Sequence, residues 1–173
     1  KGWLKDNILL GSALVDMYVK CGLLKKAQQV LDELPVQNVV CWNAVIAGYA
    51  QHQEGHKALD CLTRMQREGL SPDEITYTCI LKACGNVASI LRGEVIHDLC
   101  IRYAFELNVS IGTALIDMYA KCKRLEESLK VFKTINTKNI ISWNAIISGL
   151  SQQGYDHLAY EHFKRMLEDG IQP

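Results

Sequence analysis

The sequence predicts an all-α fold of repeated helical hairpins, and three observations carry that prediction. First, the phrase ALVDMYVKC, which ends at Cys21, recurs as ALIDMYAKC, which ends at Cys122. The match extends to WNAVIAG from Trp42 and WNAIISG from Trp143, at the same separation of 101 residues. Second, apolar residues recur at helical rather than strand spacing. Third, glycine, proline and asparagine punctuate the chain at regular intervals, which indicates an architecture of stacked repeats.

The block of residues 8–38 predicts two helices. Gly22 stands between them, as glycine often does after a last helical turn, and Pro35 and Asn38 end the second helix. In each helix, apolar residues recur at a period of about 3.6 residues. The two apolar faces consist of Leu10, Leu14, Met17 and Tyr18 in the first helix and of Leu24, Ala27, Val30, Leu31 and Leu34 in the second.

The block of residues 39–73 repeats this pattern, and Gly69 and Pro72 punctuate its end. The stretches NVVCW and NIISW are apolar but too short for strands, and each runs directly into a helical pattern. One hairpin cannot cover its own apolar face, so neighbouring hairpins are expected to stack into a solenoid with a shared core. The faces in this block consist of Trp42, Val45, Ile46 and Tyr49, followed by Ala58, Leu62 and Met65.

These boundaries place the whole chain, 1–173, in a single repeat array. The chain opens at Lys1 without a methionine and stops at Pro173 in mid-repeat, so we expect it to be a segment of a longer protein. After a tail at 1–7, the blocks are 8–38, 39–73, 74–108, 109–139 and a truncated 140–173.

Composition excludes several classes of protein. The chain is 49% hydrophobic and 22% charged, as in ordinary folded proteins, and no apolar run approaches the roughly 18 residues of a membrane span. Nineteen basic residues balance nineteen acidic ones, so net charge supplies no general attraction for nucleic acid. Seven cysteines form no CxxC pair, so neither a disulfide framework nor a zinc site is indicated. We expect reduced thiols, buried as small apolar side chains.

The stretch NVVCWNAVIAGYAQ…KALDCLTRMQREGLSPD resembles a pentatricopeptide repeat. ALVDMYVKCG, NVVCWNAVIAGYAQ and ILKACG…RGEVIH are similar to the short, standard and long units of the plant class with mixed repeat types. The resemblance implies a right-handed superhelical solenoid of helix-turn-helix repeats. On that basis 8–38 and 109–139 are short units, 39–73 and 140–173 are standard units, 74–108 is a long unit, and 1–7 is the tail of another long unit.

The resemblance also implies a function. Such proteins bind single-stranded RNA in chloroplasts or mitochondria, and members with mixed units select cytidines for editing to uridine. We therefore expect the target-recognition segment of an organellar editing or processing factor, with single-stranded RNA and editing or processing proteins as partners, and neither a membrane nor a small-molecule substrate. In those proteins catalysis belongs to a separate deaminase-like domain with HxE and CxxC zinc signatures. That pair does not occur here, so we expect no enzyme activity, catalytic residue, metal or cofactor.

In this family the fifth and the last residue of a unit read one RNA base. A side-chain amide carries both a donor and an acceptor, whereas a hydroxyl rotates to serve as either, so the pair decides which base edge is satisfied. Ser or Thr with Asn is similar to the adenine setting, and Asn with Asp to the uracil setting. The expected order is A, U, an unassigned base opposite the long unit, A, then U or C. The pairs are Ser12 with Asn38, Asn43 with Asp73, Thr78 with Asn108, Thr113 with Asn139, and Asn144 with a residue beyond Pro173.

Two further sets follow from the resemblance. The second residue of each unit packs against base faces in the family, and Ser110 departs here from an otherwise apolar set. Lys20 and Lys121 occupy a helix position that faces phosphate in some members. The second residues are Leu9, Val40, Ile75, Ser110 and Ile141.

Alternative roles compete with these assignments. Trp42 and Trp143 are candidates for stacking on bases, although their phase with the apolar face favours core packing. Capping of helices and turn formation are the alternative roles for Asn38, Asn43, Asp73 and Asn139. For the whole chain, the rival is a protein-binding scaffold like the tetratricopeptide repeats, whose groove holds peptides. Unit lengths of 35 and 31 residues and polar pairs at unit boundaries favour RNA.

Overall fold

The structure, a computed structural model, describes residues 8–105 and 108–173 of the chain. Within those residues every regular element is an α-helix, so the all-α prediction is confirmed. The tail predicted at 1–7 lies outside the described residues. The helices are α1 (Ile8–Lys20), α2 (Leu24–Glu33), α3 (Val39–Gln51), α4 (Gly55–Arg67), α5 (Glu74–Asn86), α6 (Ile90–Arg102), α7 (Val109–Lys121), α8 (Leu125–Thr134), α9 (Ile140–Gln152) and α10 (Asp156–Glu168).

Helix lengths account for the two block lengths seen in the sequence. The first helix of every hairpin, in α1, α3, α5, α7 and α9, has 13 residues. The second helix has 13 residues in α4, α6 and α10 but only 10 in α2 and α8. The two shorter helices belong to the 31-residue blocks, which therefore lose most of their length from the second helix.

A residue with left-handed backbone conformation closes each hairpin turn. Gly22 and Gly154 have φ angles of 71° and 81°, which glycine adopts without steric cost. At the same place in the other hairpins, Gln53, Ala88 and Lys123 have φ angles of 61°, 48° and 60°. In all five turns the next backbone N–H donates to a carbonyl five residues earlier, at 2.8–2.9 Å. The turn geometry is thus conserved along the chain although its residue type is not.

The chain divides into two compact units, Lys1–Ala83 and Cys84–Pro173. In the first unit α1 packs against α2 and α3, α2 also packs against α3, and α3 packs against α4. Leu31, Trp42 and Met65 are completely buried between these helices. The apolar faces that periodicity predicts therefore form the core of this unit.

In the second unit α7 packs against α6, α8 and α9, while α9 also packs against α8 and α10. Ile111 and Ile146 are fully buried there. A polar contact joins α6 to α7, where His97 Nδ1 and the Tyr119 hydroxyl lie 2.8 Å apart. Burial raises the pKa of Tyr119 to about 12, so its hydroxyl stays protonated at neutral pH.

Both repeated tryptophans are core residues. Trp42 is 0% exposed and Trp143 is 3% exposed, and the Phe132 ring packs edge-on against Trp143 with 4.7 Å between ring centroids. A buried indole cannot stack on an RNA base. Core packing, rather than base stacking, is therefore confirmed for both residues.

The seven cysteines are free thiols. Four of them are buried and two are intermediate, but Cys21 is exposed because it lies in the turn that follows α1, so the expectation of burial is wrong there. In the part of the chain that the structure describes, no three His, Cys, Asp or Glu side chains are grouped so that they could hold a metal ion. Nor does any described helix combine the length and apolarity that crossing a bilayer requires.

Candidate nucleic-acid interface

A polar cluster joins the middle of α3 to the start of α5 within the first unit. Asn43 Nδ2 donates to both carboxylate oxygens of Asp73, at 2.9 and 3.1 Å. The Thr76 hydroxyl lies 2.6 Å from Asn43 Oδ1 and 2.9 Å from Asp73 Oδ1, so it shares its proton between the two. The structure thus brings together the fifth and last residues that the sequence pairs in block 39–73. Asn43 is 7% exposed, so its amide is nearly enclosed.

Asp73 also caps α5. Its Oδ1 accepts the Thr76 backbone N–H at 2.9 Å, and the Thr76 hydroxyl accepts the Asp73 backbone N–H at 3.1 Å, which forms a reciprocal capping box. Partial burial acts to raise the pKa of Asp73, but hydrogen bonds from Thr76 and Asn43 outweigh it and hold the pKa below its ordinary value. Asp73 is therefore a carboxylate, and an acceptor only, at neutral pH.

We expect Asp73→Ala to lower the free energy of unfolding by about 2 kcal/mol, because it removes a helix cap and leaves the enclosed Asn43 amide without its acceptor. The native pKa of Asp73 lies below the unfolded value of about 3.9, so its stabilisation is complete above that pH and is lost as pH falls through the native pKa. Urea titrations from pH 6 down to about pH 2 measure this loss. Asp73→Asn keeps an acceptor but not the charge, and should flatten the pH dependence. An unchanged slope in that variant would contradict the assignment.

Ser12 and Asn38 meet through a common neighbour in the first unit. The Ser12 hydroxyl lies 3.0 Å from the Cys41 thiol, and Asn38 Oδ1 accepts the Cys41 backbone N–H at 2.9 Å, which caps α3. Both side chains are only partly buried. Both residues of the pair therefore contact Cys41, in the first turn of α3.

The corresponding pair in the second unit is Thr113 and Asn139. Asn139 Oδ1 accepts the Ser142 backbone N–H at 2.9 Å, and the Ser142 hydroxyl accepts the Asn139 backbone N–H at 3.0 Å, so this residue too forms a capping box. The Thr113 hydroxyl is enclosed and has no hydrogen-bond partner within the described residues. An enclosed hydroxyl without a partner is unfavourable, and an incoming polar group would relieve it.

Three other residues that the sequence predicts to read bases are not hydrogen-bonded to their predicted partners within the described residues. The Thr78 hydroxyl donates to the Glu74 carbonyl one turn earlier in α5, at 2.9 Å. Asn108 caps α7 by accepting the backbone N–H groups of Ser110 and Ile111 at 2.8 and 3.3 Å. Asn144 is exposed on α9, and no hydrogen bond of its side chain is recorded in residues 8–105 and 108–173.

The last residues of the blocks are all helix caps. Asn38, Asp73, Asn108 and Asn139 each accept backbone N–H groups at the start of the next helix. The capping alternative is therefore confirmed for Asn38, Asp73 and Asn139, but it is wrong for Asn43, which lies within α3 and bonds to the side chains of Asp73 and Thr76. Capping does not exclude base reading, because a cap uses one side-chain oxygen and leaves the amide N–H groups of an asparagine free to donate elsewhere.

Apolar side chains flank the polar pairs on the surface. Val40, Ile75 and Ile141 are 70%, 59% and 62% exposed, and Ser110 is exposed as well. The side chain of Leu9 lies outside what the structure describes. Aliphatic side chains that project this far into solvent at the same position of successive hairpins are available to pack against a flat apolar surface such as a base.

The two candidate phosphate contacts are engaged within their own helices. Lys20 pairs with Asp16 at 2.7 Å, and Lys121 pairs with Asp117 at 2.7 Å and also donates to Asn86 at 3.3 Å. Each pair has the i, i+4 spacing in which opposite charges meet on a helix surface. The carboxylates offset part of the charge that these lysines would offer to a phosphate.

Thr76 and Ser142 complete the polar clusters, and sequence reasoning missed both. Each is 0% exposed, and each is the third residue after a block ends. The stretches that begin at Asp73 and Asn139 follow the D-x-x-T and N-x-x-S spacing of a capping box, which was the available signal.

Comparison with protein families shows repeats throughout the chain. A family model described as the PPR repeat family matches residues 37–86. A second, described as the PPR repeat, matches residues 12–39, 113–140 and 141–171, which together make up half of the chain. The chain belongs to the pentatricopeptide repeat family. The matched segments include most of the hairpins of the first two blocks and of the last two.

Several pentatricopeptide repeat-containing proteins of Arabidopsis thaliana are similar to this chain. One is 41% identical over 168 residues, which is 97% of this chain and 23% of that protein. Another, named as chloroplastic, is 33% identical over 173 residues, covering 100% of this chain and 28% of its own. A third, named as mitochondrial, is 34% identical over 169 residues, covering 98% and 27%. The chain spans about a quarter of the length of these relatives.

Solved pentatricopeptide repeat structures share its fold. The maize protein PPR10 in complex with an 18-nt psaJ RNA element matches with a TM-score of 0.81 and 19% identity, over 94% of this chain and 25% of that one. The PPR domain of Arabidopsis thaliana protein-only RNase P 1, in complex with tRNA, matches with a TM-score of 0.71 and 11% identity, over 94% and 92%. At such identities the likeness shows the fold alone, and it confirms the helical-repeat fold class.

Proposed function

We propose that this chain binds single-stranded RNA in a sequence-selective way, as the target-recognition segment of an organellar RNA editing or processing factor. The observation that carries the proposal is the bonded pair of Asn43 and Asp73, which brings the fifth residue of one block to its last residue at 2.9 Å. Two relatives named as chloroplastic and mitochondrial support an organellar location. The complexes of PPR10 and of protein-only RNase P 1 with RNA support the ligand class.

Selectivity at the Asn43 position arises from hydrogen-bond exchange. In the RNA-free chain, Asn43 donates to Asp73 and accepts from Thr76. Uracil offers a matching acceptor and donor, so it takes over the Thr76 bond while Asp73 continues to hold the amide. A base that cannot complete the exchange leaves an enclosed polar group unpaired, which costs about 1–3 kcal/mol.

The other predicted pairs would select bases along the RNA strand by the same exchange of hydrogen bonds. Ser12 with Asn38 and Thr113 with Asn139 select adenine, and the Thr113 hydroxyl gains on binding the partner that it lacks in the free chain. The exposed Val40, Ile75 and Ile141 pack between successive bases, as do Leu9 and, more weakly, Ser110. Asn144 selects U or C together with a residue beyond Pro173. Phosphate contributes little through Lys20 and Lys121, so the salt dependence of binding is shallow.

The block lengths of 31 and 35 residues support, within this proposal, the plant class with mixed short, standard and long units, which is associated with cytidine editing. Within the proposal, this segment supplies the RNA address, and a separate deaminase-like domain of the whole protein, or a recruited processing protein, supplies the chemistry.

The test is a designed change of base preference. We expect Asn43→Ser combined with Asp73→Asn to shift the preference opposite block 39–73 from uracil to adenine by about tenfold, the worth of one well-placed hydrogen bond to an enclosed group. Fluorescence anisotropy at low ionic strength, on single-stranded RNAs that differ at that base only, measures it. Asn144→Ser serves as the matched control, because it alters another standard block and should leave this preference unchanged.

A double variant that remains folded by circular dichroism and keeps its preference for uracil would contradict base reading. The rival scaffold of the tetratricopeptide type makes a different prediction, namely that the identity of the base has no effect and that an extended peptide, rather than RNA, competes for the face that carries Asn43.

A further inference from the structure

The second compact unit carries a cleft that RNA recognition leaves unused. It has a volume of about 450 Å³ and lies between α8 and α10, with the Trp143 indole from α9 at its base. We call it the α8–α10 cleft. Its aromatic and cationic lining consists of Phe132, Lys133, Lys138, Trp143, His162 and Arg165.

Because the chain repeats after 101 residues, the first unit contains residues equivalent to those of the cleft. There an arginine covers the indole of Trp42. The Arg64 guanidinium lies over the Trp42 ring, 5.3 Å from its centroid. An ion pair of 2.6 Å with Asp32 on α2 holds Arg64 in place, and Gln28 donates to the same carboxylate at 2.9 Å. The first unit thus supplies its own carboxylate to this arginine.

In the second unit, the residue of α8 that corresponds to Asp32 of α2 has the opposite charge. Arg165 corresponds to Arg64, but Lys133 stands where Asp32 stands in the first unit. No ion pair of Arg165 is recorded in the described ranges 8–105 and 108–173. Lys133 on α8 and Arg165 on α10 both line the cleft, so two like charges stand where the first unit has an ion pair. Within the described residues, the arginine that pairs with α2 in the first unit therefore has no counterpart carboxylate on α8.

We propose that the α8–α10 cleft binds an acidic segment of a partner protein, in which an Asp or Glu stands next to an aromatic or aliphatic residue. The carboxylate takes the role of Asp32 and forms a charge-assisted pair with Arg165, and Lys133 lies on the opposite wall. The neighbouring apolar side chain packs against Leu129, because Phe132 and Trp143 are only 4% and 3% exposed and offer little surface. The volume falls within the range of about 300–1,000 Å³ that is usual for specific pockets.

Two features favour a protein carboxylate over an RNA phosphate. Glu168 and Asp169 also line the cleft. They repel a run of phosphates strongly, whereas a single carboxylate bound beside Arg165 is repelled much less. Of the described lining residues, α9 contributes Trp143 alone. Successive residues point about 100° apart around a helix, so the cleft does not share the face on which Asn144 is exposed.

The test uses the Trp143 indole N–H as a local reporter in an NMR titration of the full 173-residue chain. The probe is the blocked peptide acetyl-Phe-Asp-Phe-amide, with acetyl-Phe-Asn-Phe-amide as its uncharged match. We expect the first peptide to shift the Trp143 resonance in a saturable way and to leave the Trp42 resonance in place. The second should bind about tenfold more weakly, because it cannot form the charged pair.

Three variants separate this proposal from a general affinity for peptides. Arg165→Gln should weaken binding of the Asp peptide about tenfold, whereas Arg64→Gln, the matched change in the first unit, should not affect it. Lys133→Asp restores the internal carboxylate, so it should raise the melting temperature and abolish binding.

Equal affinity for the Asp and Asn peptides, or undiminished binding by Lys133→Asp, would overturn the proposal. A stronger shift of the Trp143 resonance with a single-stranded RNA than with the Asp peptide would overturn the assignment of a protein partner. Base preference is measured in a separate experiment on the first unit, so failure of either proposal is distinguishable from failure of the other.

Discussion

Replacing Trp42 with alanine is expected to lower the free energy of unfolding by about 3–5 kcal/mol, the usual cost of deleting a large aromatic side chain from a core. Trp42 is 0% exposed, and its ring also carries the Arg64 guanidinium on one face. Alanine leaves a cavity and removes the surface on which the Arg64–Asp32 pair rests. Urea denaturation followed by circular dichroism measures the loss.

Trp42→Phe is the matched control for that variant. Phenylalanine retains most of the apolar volume, so we expect a loss of about 1–2 kcal/mol, in the range for shape changes within a core. Because the indole is enclosed, Trp42→Phe should leave RNA affinity unchanged. A fall in RNA affinity under conditions where Trp42→Phe remains fully folded would contradict core packing and return Trp42 to a base-stacking role.

The helices could be predicted from the sequence because each is specified more than once. WNAVIAG and WNAIISG repeat the same apolar phase 101 residues apart, and both become buried first helices. The turns were only partly predictable. Gly22 signals the left-handed residue after α1, but Gln53, Ala88 and Lys123 adopt the same conformation without any residue preference for it. The backbone hydrogen bonds that close the hairpin impose it there.

The candidate site, like the turns, could be predicted from the sequence only in part. The pairing of Asn43 with Asp73 followed from the repeat length and the family resemblance, and the caps followed from residue type. The part played by Thr76 did not, because its bond to Asn43 joins residues 33 positions apart and depends on how α3 meets α5. The ion pairs of Lys20 and Lys121 were visible in the D-x-x-x-K spacing of both repeated phrases.

Capping and base reading are compatible because they use different atoms. In Asn38 and Asn139 the side-chain oxygen accepts a backbone N–H of the following helix. That bond fixes the direction of the side chain and leaves its two amide hydrogens free to donate. A reader that is also a cap is held in position before RNA arrives, so less conformational entropy is lost on binding. Under the proposed function, one residue thus sets the start of a helix and presents a donor to the RNA strand.

The close approach of α7 and α9 leaves no room for a side chain at Gly149. A Cβ placed on Gly149 would lie 2.6 Å from the Ala120 Cβ, far inside the usual carbon contact of about 3.5–4.0 Å. The Ala120 Cβ is fixed to its backbone and cannot rotate away, so the two helices must separate. We expect Gly149→Val to lower the free energy of unfolding by about 3 kcal/mol, at the upper end for overpacking.

Gly48 provides the matched control, since it holds the same place in the earlier repeat. An added Cβ there meets the ends of the Leu24 and Val19 side chains at 2.8 and 2.9 Å, and a rotation of those side chains relieves the contact in part. Gly48→Val should therefore be the more stable of the two variants in urea denaturation. Because α7 carries Thr113 and α9 carries Asn144, separating these helices would also lengthen the step between two of the proposed reading positions. Gly149→Val should consequently lose RNA affinity even at temperatures where it remains folded. If Gly149→Val and Gly48→Val have equal stability and equal RNA affinity, the spacing of α7 and α9 does not set that step.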